Sequence, residues 1–257
     1  MIRSSKTGDE FCEAGPLECW CLHGNLGLPA DWRAVAEQLA AQGISSRSPD
    51  LWRLLECEPL PLASFGRTLN AQVASRRGGT ALVGYSMGGR LALHALLEPA
   101  HPWQAAIIIA AHPGLEDPEE RAHRSAHDAR RAAEALTTPW VSFVETWDQQ
   151  PLLQGGPARD AASPARLQLR RREIARAFVD WSLGAQAPLW ERLGEISIPV
   201  LWVVGEADEK FRELGQRACG LLPNARLAIA PGCGHRVPAE APEWLASTVA
   251  GFLRSGS

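Results

Sequence analysis

The chain has 257 residues, of which 46% are hydrophobic and 21% charged, and its formal net charge is −3. That balance excludes a disordered or fibrous chain, and the length suits one α/β domain with a substantial core. With acidic and basic residues interspersed, nothing in the charge suggests nucleic acid or an acidic membrane surface as a partner.

In chain order, the opening MIRSSKTGDEFCEAGP has no apolar stretch ahead of a small-residue cleavage site. The longest apolar run, AAIIIAA from Ala105, is far too short to span a bilayer. A cytoplasmic protein without a membrane span is expected. LECWCL from Leu17 reads as a strand that runs into His23-Gly24, and DWRAVAEQLAAQG from Asp31 reads as a helix ending at Gly43. FGRTLNAQVASRRGG supplies a second helix and TALVGY from Thr80 a second strand. AAIIIAA, PVLWVVG from Pro199 and ARLAIA from Ala225 are further strands, and PEWLASTVAGFL is a final helix. Alternation of this kind predicts a mostly parallel sheet flanked by helices.

The rhythm breaks between about Pro118 and Leu193, a stretch rich in Arg, Ala, Gln and Trp with no convincing strand. A helical insertion over 118–193, leaving 1–117 and 194–257 as the core, is the expected division. Ligands of open parallel sheets bind beyond the carboxyl ends of the strands, so an insertion leaving the sheet there forms a lid. Cys12, Cys19, Cys21, Cys57, Cys219 and Cys233 lack paired CxxC spacing, so neither a metal site nor a disulfide framework is signalled.

Gly84-Tyr85-Ser86-Met87-Gly88 fits G-x-S-x-G between a strand and a helix. The glycines remove side chains that would clash at a sharp turn, and Ser86 projects above the sheet edge. The helix start places the Met87 amide to donate to developing negative charge. After the first strand, the loop of CLHGNLGLPADW offers a second such amide, assigned to Asn25. The loop VVGEADEKF carries Glu206 and Asp208, either of which could hold an imidazole in one tautomer, with Asp208 preferred. In PGCGHRVPAEAPEW, His235 follows the last strand. The order Ser86, Asp208, His235 is that of α/β-hydrolases, and none of the other six histidines completes it. Arg90, four residues beyond Ser86, shares its helix face.

LHGNLGLPADW, LVGYSMGGRLALH, AAHPGLEDPEERAHR and GEADEKF together resemble a narrower family, the 2-succinyl-6-hydroxy-2,4-cyclohexadiene-1-carboxylate synthases of menaquinone biosynthesis. The resemblance implies a lyase that eliminates pyruvate from a small substrate carrying several carboxylates, without metal or organic cofactor. It implies that Arg124 and a second lid arginine, placed at Arg166 by spacing, meet those carboxylates beside Arg90, and that Tyr85 and Trp147 form pocket walls. Arg170, Arg171, Arg172 and Arg176 compete with Arg166 in RLQLRRREIARAF, and most of these charges are expected on a solvated helix face. A carboxylester or thioester hydrolase with Ser86 as nucleophile is the alternative, and a non-catalytic ligand-binding protein on the same scaffold is a third reading. The oligomeric state is not legible.

Overall fold

Six strands form one sheet in a computed structural model that describes residues 17–75 and 78–255. They are β1 (Glu18–Leu22), β2 (Ser45–Arg47), β3 (Thr80–Tyr85), β4 (Ala105–Ile109), β5 (Val200–Gly205) and β6 (Ala225–Ala230), ordered β2-β1-β3-β4-β5-β6 with every pair parallel. The inner strands β3, β4 and β5 are buried on both faces, which is why they read as continuous apolar runs rather than alternating ones. Strand β2 has the sequence SSR and lies half-exposed at an edge, so no hydrophobic pattern announces it. The amino-terminal stretch discussed above and Cys12 lie outside the described residues, as do Arg76 and Arg77. Among the described residues no helix is long and apolar enough to cross a membrane.

The crossover helices α1 (Arg33–Ala40), α2 (Leu62–Val73) and α3 (Met87–Leu96) cover the sheet, with α2 packed on α3 and α1 on the carboxyl-terminal helix (Pro242–Ser255). Between β4 and β5 come α4 (Pro118–Thr137), α5 (Trp140–Asp148), α6 (Ser163–Gln168) and α7 (Arg171–Asp180). Asp117 opens α4 by accepting from the Glu120 amide at 2.8 Å, with Pro118 in the first turn where its missing N–H costs nothing. Pro139 stops it, since proline cannot continue a helix. Helix α7 packs on α4; Ala132 and Ala135 are buried on α4, and Ile174, Ala175, Ala177 and Phe178 are buried on α7.

The end of this helical segment is anchored to the sheet domain. Trp181 stacks on Trp52 at 6.4 Å, meets Phe65 edge-on at 5.6 Å and donates from its indole to the Leu60 carbonyl at 2.8 Å. Burying aromatics of this size contributes on the order of 2 kcal/mol apiece, which stabilises the junction. Helix α8 (Glu209–Leu221) connects β5 to β6, and after β6 come the short helix α9 (Val237–Glu240) and the carboxyl-terminal helix α10.

From β1 the chain steps outward to β2 and then returns to β3 on the other flank of β1. The connections at the carboxyl ends of β1 and β3 therefore diverge, leaving the crevice in which open α/β sheets bind ligands. Leu22 pairs with Gly84, so His23-Gly24 and Tyr85-Ser86 leave the sheet side by side.

Candidate active site

Close packing dictates the glycines around Ser86. A Cβ on Gly88 would lie 2.3 Å from the Leu22 carbonyl oxygen, and one on Gly84 would lie 2.5 Å from that of Gly88. The turn therefore closes onto β1 only with glycine at both places. Ser86 itself has φ 52° and ψ −111°, a conformation that a residue with a Cβ adopts under strain. Its amide donates to the Ile109 carbonyl at 2.8 Å and its carbonyl accepts from the Arg90 amide at 3.1 Å, so the neighbouring strand and helix hold it there.

The loops after β5 and β6 are laced together. The Ala207 amide donates to the Cys233 carbonyl at 2.9 Å, and Gly205 has no room for a side chain beside the Gly234 carbonyl. His235 Nδ1 consequently lies 2.7 Å from Asp208 Oδ2, and its Nε2 lies 3.1 Å from Ser86 Oγ. A carboxylate only accepts, so Nδ1 carries the proton and Nε2 is free to accept from the serine hydroxyl. Asp208 and His235 are buried, with the Phe211 ring 4.5 Å from the imidazole and the Tyr85 ring 5.6 Å from it. Glu206, the competing acid, instead accepts from the Gly232 amide at 2.8 Å on the surface.

Asn25 and Met87 both line the cavity above Ser86. Met87 opens α3 and has no carbonyl of its own helix to donate to. Asn25 sits in a turn closed by the Gly27 amide on the Gly24 carbonyl at 3.1 Å, and its side chain accepts from the Leu26 amide at 3.0 Å. Leu26 has φ 47°, so this turn is strained as well. Buried His23 ties it down: Nδ1 donates to the Gly24 carbonyl at 2.9 Å and Nε2 accepts from the Leu51 amide at 3.2 Å. The cavity has a volume of about 520 Å³, within the usual range for small-molecule sites, and Tyr85, Arg90, Arg124 and Trp147 line it. Trp147 also packs edge-on against Phe178 at 5.4 Å.

A model of the family described as "Alpha/beta hydrolase family" matches residues 18–248. The chain belongs to the alpha/beta hydrolase family. It is 31% identical over 242 residues to the 2-succinyl-6-hydroxy-2,4-cyclohexadiene-1-carboxylate synthase of Salmonella agona (strain SL483), covering 91% of this chain and 92% of that one. The solved structure of MenH from S. aureus superposes with a TM-score of 0.85 at 24% identity, covering 95% of each chain. Carboxylesterase CesB from Bacillus subtilis superposes with a TM-score of 0.65 at 19% identity, covering 95% of this chain and 85% of that one. Like the Salmonella synthase, the chain is an enzyme.

The cations of this alpha/beta hydrolase differ from expectation at one position. Arg166 is exposed on α6 and does not reach the cavity. The inward face of that short helix is set by Ser163 and Leu167, one turn apart, and a helix turns about 100° per residue, which swings Arg166 away. Arg159, in the loop before α6, lines the cavity instead. Its guanidinium holds Asp148 bidentately at 2.8 and 2.6 Å and donates to the Leu26 carbonyl at 2.7 Å. Burial opposes its charge, but Asp148 outweighs it and the net pKa is raised. The competing arginines are occupied elsewhere: Arg170 pairs with Asp50 and Glu56, Arg171 donates to the Ala135 and Thr138 carbonyls, Arg176 donates to Leu55, and Arg172 is exposed.

Arg90 is buried and donates to the Trp181 carbonyl at 2.6 Å and the Gln186 side chain at 3.0 Å. Both acceptors are neutral, and burial, reinforced by nearby Arg124, lowers its pKa to about 10. Arg124 places its Nε 2.9 Å from both oxygens of buried Asp128, which leaves its terminal nitrogens for the cavity. Ser182 also donates to Asp128, at 2.8 Å. His112 and Gln186, which carried no sequence signal, extend this network: Gln186 donates to the His112 carbonyl at 3.2 Å, and His112 Nδ1 accepts from the Gly114 amide at 2.9 Å. Among the described residues no group of three ligating side chains is arranged to hold a metal ion.

Two histidines near Arg90 make stability depend on pH. Burial, then the charges of Arg90 and Arg192, lower His94 to about 4, and burial, then Lys210 and Arg90, lower His112 to about 4. Both pKa values fall below the unfolded value near 6.5, so the unfolded chain binds more protons between these limits. Stability is therefore complete above about pH 6.5 and declines as pH falls toward about 4, by on the order of 2 kcal/mol per histidine. Urea midpoints measured across that range will fall, and His94→Leu will flatten the decline. A wild-type midpoint that holds constant down to pH 4 contradicts the buried neutral histidines.

Proposed function

We propose that this enzyme is a 2-succinyl-6-hydroxy-2,4-cyclohexadiene-1-carboxylate synthase, a cytoplasmic lyase that eliminates pyruvate from a succinylated cyclohexene dicarboxylate. The observation that carries the reading is the meeting of Arg90, Arg124 and Arg159 in the cavity that holds the Ser86 hydroxyl. A neutral ester has no use for several guanidinium groups, whereas a substrate with several carboxylates does. The similarity to the curated synthase runs along nine-tenths of both chains and supports the same reading.

Ser86 passes its proton to His235 Nε2 and acts as the base, taking a C–H proton activated by the succinyl carbonyl. Asp208 stabilises the resulting imidazolium and keeps the ring in the required tautomer. Charge moves onto the carbonyl oxygen, where the Asn25 and Met87 amides receive it. As that charge returns, the bond from ring carbon to the leaving oxygen breaks, and the departing enolate takes the proton held on His235 Nε2 to become pyruvate. The abstracted C–H proton stays on the Ser86 hydroxyl, so the enzyme is regenerated with no acyl-enzyme. The arginines hold the carboxylates so that the reacting C–H faces Ser86 Oγ.

The Ser86, His235 and Asp208 bonds taken alone also suit ester hydrolysis with Ser86 as nucleophile. A coupled assay for pyruvate, run on the pathway intermediate beside a panel of p-nitrophenyl esters, separates the readings. Pyruvate release with feeble ester turnover is expected. Efficient ester turnover without pyruvate reverses the two.

A further inference from the structure

His235 depends on a loop whose conformation one carboxylate governs. Glu240, the last residue of α9, accepts from the Gly234 amide with Oε2 at 2.6 Å and from the Arg236 amide with Oε1 at 2.9 Å. These are the amides on either side of the Gly234–Arg236 segment centred on His235, so a single side chain holds the backbone before and after the imidazole-bearing residue. The helix closes the ring of bonds: the Ala239 and Glu240 amides donate to the Arg236 carbonyl at 2.8 and 2.9 Å. Arg236 in turn donates to the Pro157 carbonyl at 2.8 Å.

We infer that Glu240 is a positioning residue for His235, its two oxygens setting the backbone on both flanks so that the imidazole meets Asp208 and Ser86 together. The ring must satisfy two partners at once, at 2.7 and 3.1 Å, and its Nε2 lies at the far end of the side chain. A small backbone rotation is amplified at that end, and a misplacement of about 1 Å can cost about 10²-fold in rate. Glu206 provides the natural comparison. It also caps this loop, but through one bond to Gly232, three residues before His235 and not flanking it.

The inference rests on His235 serving as proton acceptor in the proposed elimination, so the test has one arm that needs no substrate. In pyruvate release, Glu240→Ala should lower kcat by about 30- to 100-fold with KM within about twofold, as expected for lost alignment rather than lost binding. Glu240→Gln, which keeps one acceptor, should lose less, and Glu206→Gln should stay within about twofold. In the substrate-free arm, the low-field proton on His235 Nδ1, identified by its absence in His235→Gln, should shift or broaden in Glu240→Ala and stay unchanged in Glu206→Gln. If Glu240→Ala does not fold, Glu240→Gln carries both readouts. A wild-type rate together with an unchanged proton signal overturns the inference, as do equal losses from Glu240→Gln and Glu206→Gln. If the wild-type enzyme releases no pyruvate, the elimination reading fails, and the proton signal alone then decides the role of Glu240.

Discussion

Ser86→Ala and His235→Ala are each expected to lower the single-turnover rate of pyruvate release by roughly 10⁴-fold or more, with an unchanged circular dichroism spectrum. The physical reason is that the three side chains act as one unit: the hydroxyl becomes a base only if Nε2 takes its proton, and Nε2 is available only while Asp208 holds the proton on Nδ1. Asp208→Asn keeps the shape but offers an amide where a carboxylate accepted, and is expected to cost about 10⁴-fold. Combining any two changes should lose little more than the worse single change, because the second removes a partner already idle. Losses that multiply across the double variants would show that the groups act independently and undo the assignment. Glu206→Gln, whose carboxylate binds only the Gly232 amide, should be nearly silent.

The arginines give the second large effect, and it separates the synthase from an esterase. Replacing Arg124 or Arg159 by alanine should depress kcat/KM for the carboxylated substrate by roughly 10- to 150-fold, the value of one hydrogen bond to a charged group. Lysine should not restore the loss, because an ammonium cannot reproduce the guanidinium fork. Arg159→Ala also frees the Leu26 carbonyl beside the Asn25 turn, so part of its loss should appear in kcat. Arg90→Ala should lose activity to a similar degree and also stability, since it strands the Trp181 carbonyl and the Gln186 side chain in the interior at about 1–3 kcal/mol. Arg166→Ala, on the surface, should change nothing measurable. Turnover of a small neutral ester should barely respond to Arg124→Ala. Silence of Arg90, Arg124 and Arg159 toward the carboxylated substrate would sink the synthase reading and leave the esterase in its place.

Much of the core was legible because local chemistry writes it into the chain. A strand buried on both faces must be a short apolar run, and a turn squeezed against a neighbouring strand must be glycine, so β3 and the Gly84 to Gly88 turn carry their geometry in their composition. Ser86, Asp208 and His235, which the structure brings within hydrogen-bonding reach of one another, each follow a strand within a few residues, so their places beyond the sheet can be read from the chain. β2 leaves no such trace, because a polar edge strand of three residues buries too little to make a pattern.

What the sequence by itself determined, then, is the parallel sheet, the helical character of the segment between β4 and β5, and the places where reactive side chains leave the strands. Tertiary structure alone decided which cations reach the cavity. Arg159 lies in a loop with no periodicity, and its position follows from Asp148 and the Leu26 carbonyl, partners 11 and 133 residues away in the chain. Arg166 carries the same charge seven residues later, yet the short helix beneath it buries Ser163 and Leu167 and turns it to solvent. Which of two like charges faces a substrate depends on long-range packing and on the orientation of one helical turn, and neither quantity is encoded in a local window of residues.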